Sequence, residues 1–216
     1  MNDDGLIRCS WANVRSGAHW EVYRDYHDQE WGRPLHGRVA LFERMSLEAF
    51  QSGLSWLIIL RKRENFRRAF SGFDIDKVAR YTDADVHRLM VDEGIVRNRA
   101  KIEATIANAR VAADLGSSED LSGLLWSFAP PPRPRPVDGS EIPSASAESK
   151  AMARELKRRG FRFVGPTTAY ALMQATGMVD DHIRDCWVPP ARWGCGPVAR
   201  LFKGPGGAGQ WSLTAR

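Results

Sequence analysis

Four residues near the two ends of the chain have the types that hold a transition metal: Cys9 and His27 near the start, His182 and Cys186 near the finish. His182 and Cys186 have an i, i+4 spacing, which puts both side chains on one face of a single helical turn. Cys2His2 is a complete four-coordinate set for zinc, and a closed set is structural rather than catalytic. One ion held this way would tie the two ends of the domain together. Taken singly, these residues have plainer readings, because a lone Cys is usually a small buried apolar residue and a lone His a satisfied one. Cys195 is a weaker alternative to Cys186, since it lacks the spacing to His182.

A second constellation centres on a carboxylate. Glu48 and Gln51 are spaced i, i+3 on an otherwise apolar helical stretch, where a carboxylate is costly unless it meets a partner. Trp11, Tyr23, Tyr26, Trp31 and Trp56 lie close in sequence to the Cys9–His27 pair or to the Glu48 helix. Such rings are more often core than binding box. Beside a carboxylate and an amide, they also supply the faces and polar edge groups that a planar heterocycle needs. His19, His36 and His87 have no partner motif and read as surface residues.

The third feature is Arg-Gly-Phe-Arg-Phe-Val-Gly-Pro-Thr-Thr-Ala, from Arg159 to Ala169. Gly160 and Gly165 permit backbone conformations and close approaches that a Cβ obstructs. Pro166 restarts a helix whose first N–H groups are free to donate to a phosphate oxygen. The segment, with Phe161, Thr167 and Thr168, looks like the hairpin of helix-hairpin-helix DNA-binding proteins, although any αα-hairpin can use Gly at its turn.

The elements that must position these residues are almost all helical. Apolar residues recur at helical spacing from Ala40 to Leu60, with a break at Gly53. Further helices are expected from Glu64 to Phe70, Asp74 to Tyr81, Val86 to Asp92 with Asp83 as N-cap, Asn98 to Leu115, Ser146 to Arg159, and after Pro166. No sustained period-2 alternation predicts a sheet. Pro130, Pro131, Pro132, Pro134 and Pro136 dictate a loop or extended segment. Residues 1–188 are expected to form a two-lobed helical domain with the hairpin near 150–176. Residues 189–216 form a tail rich in Gly and Pro, expected to be loosely ordered.

Composition narrows the classes. A hydrophobic fraction of 43% and a charged fraction of 26% suit an ordinary globular domain, not a disordered or membrane-spanning chain. Three widely spaced cysteines make no disulfide framework, and no secretory signal is visible, so a reducing, cytoplasmic setting is expected. The net charge of +5 is compatible with a polyanionic partner. Basic residues cluster at Arg61, Lys62, Arg63, Arg67 and Arg68, and at Arg154, Lys157, Arg158, Arg159 and Arg162. Either cluster serves as a solvated helix face or as a surface for a phosphate backbone.

The ordered motifs carry a family resemblance. They are Arg8-Cys9-Ser10-Trp11, Tyr26 to Gly32, Leu47-Glu48 with Gln51 and Gly53 to Trp56, Arg61 to Asn65, Gly94 to Asn98, Trp126-Ser127-Phe128, Gly160 to Gly165, and Asp181-His182. Over about residues 7–188 the chain resembles bacterial 3-methyladenine DNA glycosylase I, the zinc-containing branch of the helix-hairpin-helix glycosylases. The resemblance implies an all-α fold and one structural zinc on Cys9, His27, His182 and Cys186. It implies hydrolysis of the N-glycosidic bond of N3-methyladenine in alkylated double-stranded DNA, by a monomer that needs no membrane. It places Glu48 and Tyr26 at the base edge and Trp56 stacked on the base. N3-methylguanine is a further candidate substrate.

Two points depart from or qualify that pattern. The interval between Cys9 and His27 is lengthened, with Ser16 to His19 as the insertion. In the broader superfamily an Asp shortly after the hairpin assists cleavage, and Asp180 falls near that register. A carboxylate beside metal ligands more often supports them, and Asp180 is equally an N-cap before Ile183. No Lys follows the hairpin at the place where bifunctional relatives carry a Schiff-base nucleophile, which argues against lyase chemistry. Leu54 and Gln51 are candidates for filling the gap left by an extruded nucleotide. The rival classes are a noncatalytic binder of DNA structure and a zinc-stabilised interaction module.

Overall fold

The computed structural model describes residues 4–13, 20–115 and 120–190. The insertion at Ser16 to His19, Cys195 and the tail after Pro190 lie outside the described residues. Among the described residues the chain is helical with no strand. It comprises α1 (Trp20–Gln29), α2 (Arg38–Gln51), α3 (Trp56–Ala69), α4 (Ile75–Ala79), α5 (Asp83–Val91), α6 (Arg99–Asp114), α7 (Leu121–Trp126), α8 (Ala147–Arg158) and α9 (Pro166–Ala175). Short 3₁₀ turns at Ser10–Ala12, Ser71–Phe73 and Gly139–Glu141 join them. No described helix is long and apolar enough to cross a membrane.

Helix α2 is the spine. Leu41, Phe42, Met45, Leu47 and Phe50 are all at most 1% exposed, so it is enclosed by neighbours on nearly every side, with α3, α6, α7 and α9 packed against it. Its C-terminus is held by a buried cation: the Lys101 ammonium of α6 donates to the carbonyls of Phe50 (2.8 Å) and Ser52 (2.6 Å). A positive charge at a helix C-terminus complements the macrodipole and satisfies carbonyls that have no intrahelical partner. That contact fixes the end of the helix carrying Glu48 and Gln51.

Several boundaries differ from the sequence expectation, each for a local reason. Helix α3 runs unbroken from Trp56 to Ala69 where a fresh start was expected at Glu64, because Arg61 to Arg63 are good helix formers and no Gly or Pro interrupts the run. Thr82, not Asp83, is the N-cap of α5, and its N–H donates to Asp85 Oδ2 at 3.0 Å. Helices α1 and α7 were not anticipated. The H-x3-C segment is not a helical turn: His182 to Cys186 is irregular chain closed by a Cys186 N–H bond to the Ile183 carbonyl at 2.9 Å. Accordingly, Asp180 caps no helix.

The hairpin between α8 and α9 follows its sequence. Ser146 caps α8 through the Ser149 N–H at 3.1 Å. Gly160 ends the helix at φ +98°, and the Phe161 N–H returns to the Leu156 carbonyl at 2.9 Å, the usual left-handed helix stop. Pro166 then opens α9 at a position where a missing N–H costs nothing. At its far end, Gly177 (φ +70°) lies against the backbone of Gly32 to Pro34. An added Cβ there would come within 2.7 Å of the Arg33 carbonyl carbon and the Pro34 nitrogen. This close approach fastens the segment after α1 to the end of α9.

Candidate active site and metal centre

The two ends of the chain meet in a small buried cluster beside the main core, made of Cys9, Tyr26, Trp31, Leu60, Ala175, Cys186 and Val188. Within it Cys9, His27, His182 and Cys186 are all buried, and their ligand atoms lie within 4.8 Å of one another. Cys9 Sγ is 3.7 Å from His182 Nδ1, and Cys186 Sγ is 3.5 Å from His182 Nδ1 and 3.6 Å from His27 Nε2. A tetrahedral zinc with ordinary Zn–S and Zn–N bonds requires S···N edges of about 3.6 Å. The donor set therefore has the size and composition of a Cys2His2 metal site.

The outer partners of the histidines agree with that use. His27 Nδ1 meets Asp28 Oδ1 at 2.8 Å, and His182 Nε2 meets the Trp31 carbonyl at 3.1 Å. With one nitrogen of each ring donating outward, the other turns a lone pair inward, as metal-bound imidazoles are oriented. Asp28 is itself held by Arg8 and by the Trp187 indole N–H. Hydrogen bonding with Cys186 pushes the Cys9 thiol far up, and hydrogen bonding from Cys9 pulls Cys186 far down. The two sulfurs thus hold one proton between them, and a metal cation at this site would ionise both.

Against this cluster opens a cavity of about 640 Å³. All seven sequence-singled residues line it: Trp11, Tyr23, Tyr26, Trp31, Glu48, Gln51 and Trp56. Trp11 stands edge-on to Tyr23 (5.9 Å) and to Trp31 (5.1 Å), and Tyr26 is 5.5 Å from Trp56 between ring centres. Edge-to-face packing locks the rings against each other and leaves π faces available to a planar guest. Trp11 and Trp31 also contact the metal-site imidazoles, at 5.2 Å to His27 and 4.7 Å to His182. The tetrad thus supports part of the aromatic wall.

Glu48 is 5% exposed, and burial pushes its carboxyl up to about 7, with only the charge of Arg44 acting against it. It makes no hydrogen bond among the described residues. The Trp56 indole N–H is likewise buried without a partner. Such groups are rare in folded proteins and cost free energy. Beneath them, buried Arg44 donates to the Tyr26 hydroxyl at 2.6 Å and to Glu30 at 3.3 Å, while Glu30 takes a two-pronged bond from Arg63 at 2.5 and 2.8 Å. Because the Tyr26 oxygen accepts from Arg44, its own proton is left to donate elsewhere. Burial holds that phenol protonated.

A family model described as Methyladenine glycosylase matches residues 16–189. The chain belongs to that family. Over 185 residues this glycosylase relative is 42% identical to the DNA-3-methyladenine glycosylase of Haemophilus influenzae, covering 83% of this chain and 96% of that protein. It is also 42% identical to DNA-3-methyladenine glycosylase 1 of Escherichia coli K12 over 188 residues, covering 86% and 98%. A crystal structure of 3-methyladenine DNA glycosylase I aligns at TM-score 0.80 and 41% identity, covering 85% of this chain and 100% of that one. A Staphylococcus aureus structure concerned with 3-methyladenine recognition aligns at TM-score 0.75 and 36% identity, covering 78% and 92%.

Within this methyladenine glycosylase family member, the remaining expected residues fall into place unequally. Thr167 is exposed and Thr168 half-buried in the first turn of α9, and Gly165 is exposed just before it. Phe161 is 3% exposed, so its side chain belongs to the core. Gly165 has an ordinary backbone conformation and a Cβ added there would meet nothing within 4 Å, so nothing inside the protein demands glycine. Beside it Phe163 (φ +55°) is exposed at the hairpin tip, in a depression rimmed by Lys150, Arg154 and Lys157. The α3 basic cluster is largely committed elsewhere, with Arg63 on Glu30, Arg67 on Glu43 and Lys62 on the Glu93 carbonyl. Asp180 pairs with Arg135 at 2.9 Å and does not line the cavity. His36 stacks on Trp126, with ring centres 4.4 Å apart.

Sequence reasoning missed Ser10, Gly139, Ile142, Ala171 and Gln174 in the cavity wall. Ser10 had a signal, since it stands between Cys9 and Trp11. The others come from the proline-rich connection and from α9, far along the chain, and nothing in their local pattern marks them.

Proposed function

We propose that this chain is a monofunctional DNA-3-methyladenine glycosylase of base-excision repair, hydrolysing the N-glycosidic bond of N3-methyladenine in alkylated duplex DNA and leaving an abasic site. The observation that carries the reading is a buried, unpartnered carboxylate, Glu48, in an aromatic cavity of a chain whose relatives bear that name. A base within a duplex is inaccessible, so the nucleotide is extruded into the cavity. The lesion is cationic while attached to deoxyribose. Aromatic faces attract that charge by about 0.5 to 2 kcal/mol per favourable contact, and Trp56 supplies the stacking face.

Glu48 recognises and orients the base. Poised near 7 when alone, its carboxyl is driven to ionise by an entering cation, because an opposite charge at close range favours the charged form. Tyr26, its oxygen fixed by Arg44, turns its proton to the base edge. The positive base is already a good leaving group, so catalysis rests on holding the extruded nucleotide and stabilising the oxocarbenium-like sugar. The bonding electrons leave with the base, which departs neutral. Water adds at the sugar C1′ and gives up a proton. No lysine lines the cavity among the described residues, which agrees with hydrolysis without lyase chemistry.

The hairpin is read as a helix-hairpin-helix phosphate contact. Gly165 permits close approach of the backbone, and the first-turn N–H groups of Thr167 and Thr168 donate to a phosphate oxygen. Phe161 acts as the buried anchor of this loop. Cys9, His27, His182 and Cys186 hold one structural zinc, which links the chain ends and supplies no step of the reaction. Leu54, in the turn between α2 and α3, and Gln51 are the candidates for filling the gap in the duplex.

The test is release of free base from methylated duplex DNA, resolved by chromatography, for the parent and Glu48→Gln. Release of 3-methyladenine that falls about 10- to 100-fold in the variant supports the reading, the range expected for losing one charged hydrogen-bond partner. Unchanged activity and base affinity in Glu48→Gln would remove Glu48 from the role given to it.

A further inference from the structure

We propose that Gln174 is a specificity-determining residue of the cavity, its amide carbonyl turned inward to accept a hydrogen bond from the exocyclic amino group of the bound base. The proposal rests on the reading of the cavity as a base site and extends it to a residue of α9 that the sequence did not mark.

The argument is one of forced orientation. An amide side chain can present either its NH2 or its carbonyl, and the choice is decided by its other neighbours. Gln174 Nε2 donates to Asp181 Oδ2 at 2.9 Å. Asp181 is 1% exposed and accepts from the Tyr170 hydroxyl at 2.6 Å and from Arg133 at 2.7 Å. Both Asp181 oxygens already accept from Arg133 and Tyr170, so it is the NH2 end of Gln174 that faces them. The carbonyl oxygen is the group left over, and it makes no hydrogen bond among the described residues.

Gln174 is also anchored in its main chain. Its backbone carbonyl accepts the Gly32 N–H at 3.2 Å and the Gly177 N–H at 3.3 Å, at the tight crossing between the ends of α1 and α9. The side chain therefore enters the cavity wall from a fixed point. Glu48 contributes an acceptor from α2, and Gln174 a second from α9. Two fixed acceptors suit a base bearing an amino group. A base with a carbonyl at that position would set acceptor against acceptor, and neither oxygen of the pair could be satisfied.

The two chemistries are compared with 3-methyladenine and 3-methylhypoxanthine, in which oxo replaces amino at one carbon and one ring nitrogen gains a hydrogen; the change in preference between parent and variant isolates the part owed to Gln174. Each free base is titrated into metal-loaded protein and followed by tryptophan fluorescence, for the parent, Gln174→Met and Gln174→Glu. The parent should prefer 3-methyladenine, and Gln174→Met should shrink that preference by about tenfold or more. Gln174→Glu should retain it, because a neutral carboxyl donates its hydroxyl to Asp181 and leaves a carbonyl facing inward. A full preference in folded Gln174→Met overturns the proposal. If that variant fails to melt cooperatively or to hold metal, Gln174→Glu decides, since loss of preference there contradicts the assignment equally. A parent that binds neither base would instead refute the base-site reading itself, a separable outcome.

Discussion

The metal tetrad and the cavity share Trp11 and Trp31 as a common wall, yet they treat their polar atoms in opposite ways. In the tetrad each histidine has its outward nitrogen matched, and Asp28 behind His27 is matched again by Arg8 and Trp187. In the cavity the Glu48 carboxylate, the Trp56 indole N–H and the Gln174 carbonyl lack protein partners among the described residues. Fully matched polar groups hold a structure in one arrangement, while unmatched ones carry a free-energy cost that a ligand can relieve. The difference separates a part built for stability from a part built for binding.

Breaking the tetrad should have the largest effect. Cys9→Ala should abolish stoichiometric zinc, measured by plasma mass spectrometry. It should lower unfolding free energy by about 4 kcal/mol or more, the stabilisation given by a ligand at a thousandfold excess over its Kd. Full stability without bound zinc would refute the structural role.

Glu48→Gln should behave in the reverse sense, losing function while gaining stability. A carboxyl whose pKa rises on folding takes up a proton as the chain folds. Its contribution is most favourable below its ordinary 4.5 and is lost as the pH rises toward about 7. The stability advantage of Glu48→Gln over the parent should therefore grow between those pH values, to on the order of 3 kcal/mol. Parallel urea titrations at pH 5 and pH 8 measure it. A constant difference would mean that Glu48 is not held in a desolvated site.

Smaller effects sharpen the comparison. Asp28→Asn leaves all four ligands in place but weakens the orientation of His27, and metal affinity should fall about 10- to 100-fold in a chelator competition. Gly165→Ala should be the mildest: stability should shift by less than about 0.5 kcal/mol, because a Cβ there meets nothing. DNA affinity, read by fluorescence anisotropy, should nonetheless drop. Unchanged DNA binding would take the phosphate contact away from this glycine.

The same division explains what was legible in the sequence. Cys9, His27, His182 and Cys186 stand out because few other roles require those residue types, even though the segment carrying the last two is not helical. The aromatic set with Glu48 and Gln51 was legible through its closeness along the chain and its polar intrusion into an apolar helix. Gln174 was not, because its orientation depends on Asp181, which Arg133 reaches from the proline-rich connection. Nor was the Arg44–Tyr26 bond visible, since it joins α1 to α2 through a buried guanidinium that reads locally as a surface residue. The Gly177 contact with Gly32 to Pro34 likewise exists only once the two chain ends meet.

The most direct test of the account is chromatographic analysis of bases released from methylated duplex DNA by zinc-loaded protein, with Glu48→Gln run in parallel and both proteins checked for folding. The account predicts rapid release of free 3-methyladenine by the parent, strongly reduced in a variant that melts no earlier than the parent. Absence of release by the folded, metal-loaded parent would contradict it and leave a noncatalytic DNA binder in its place.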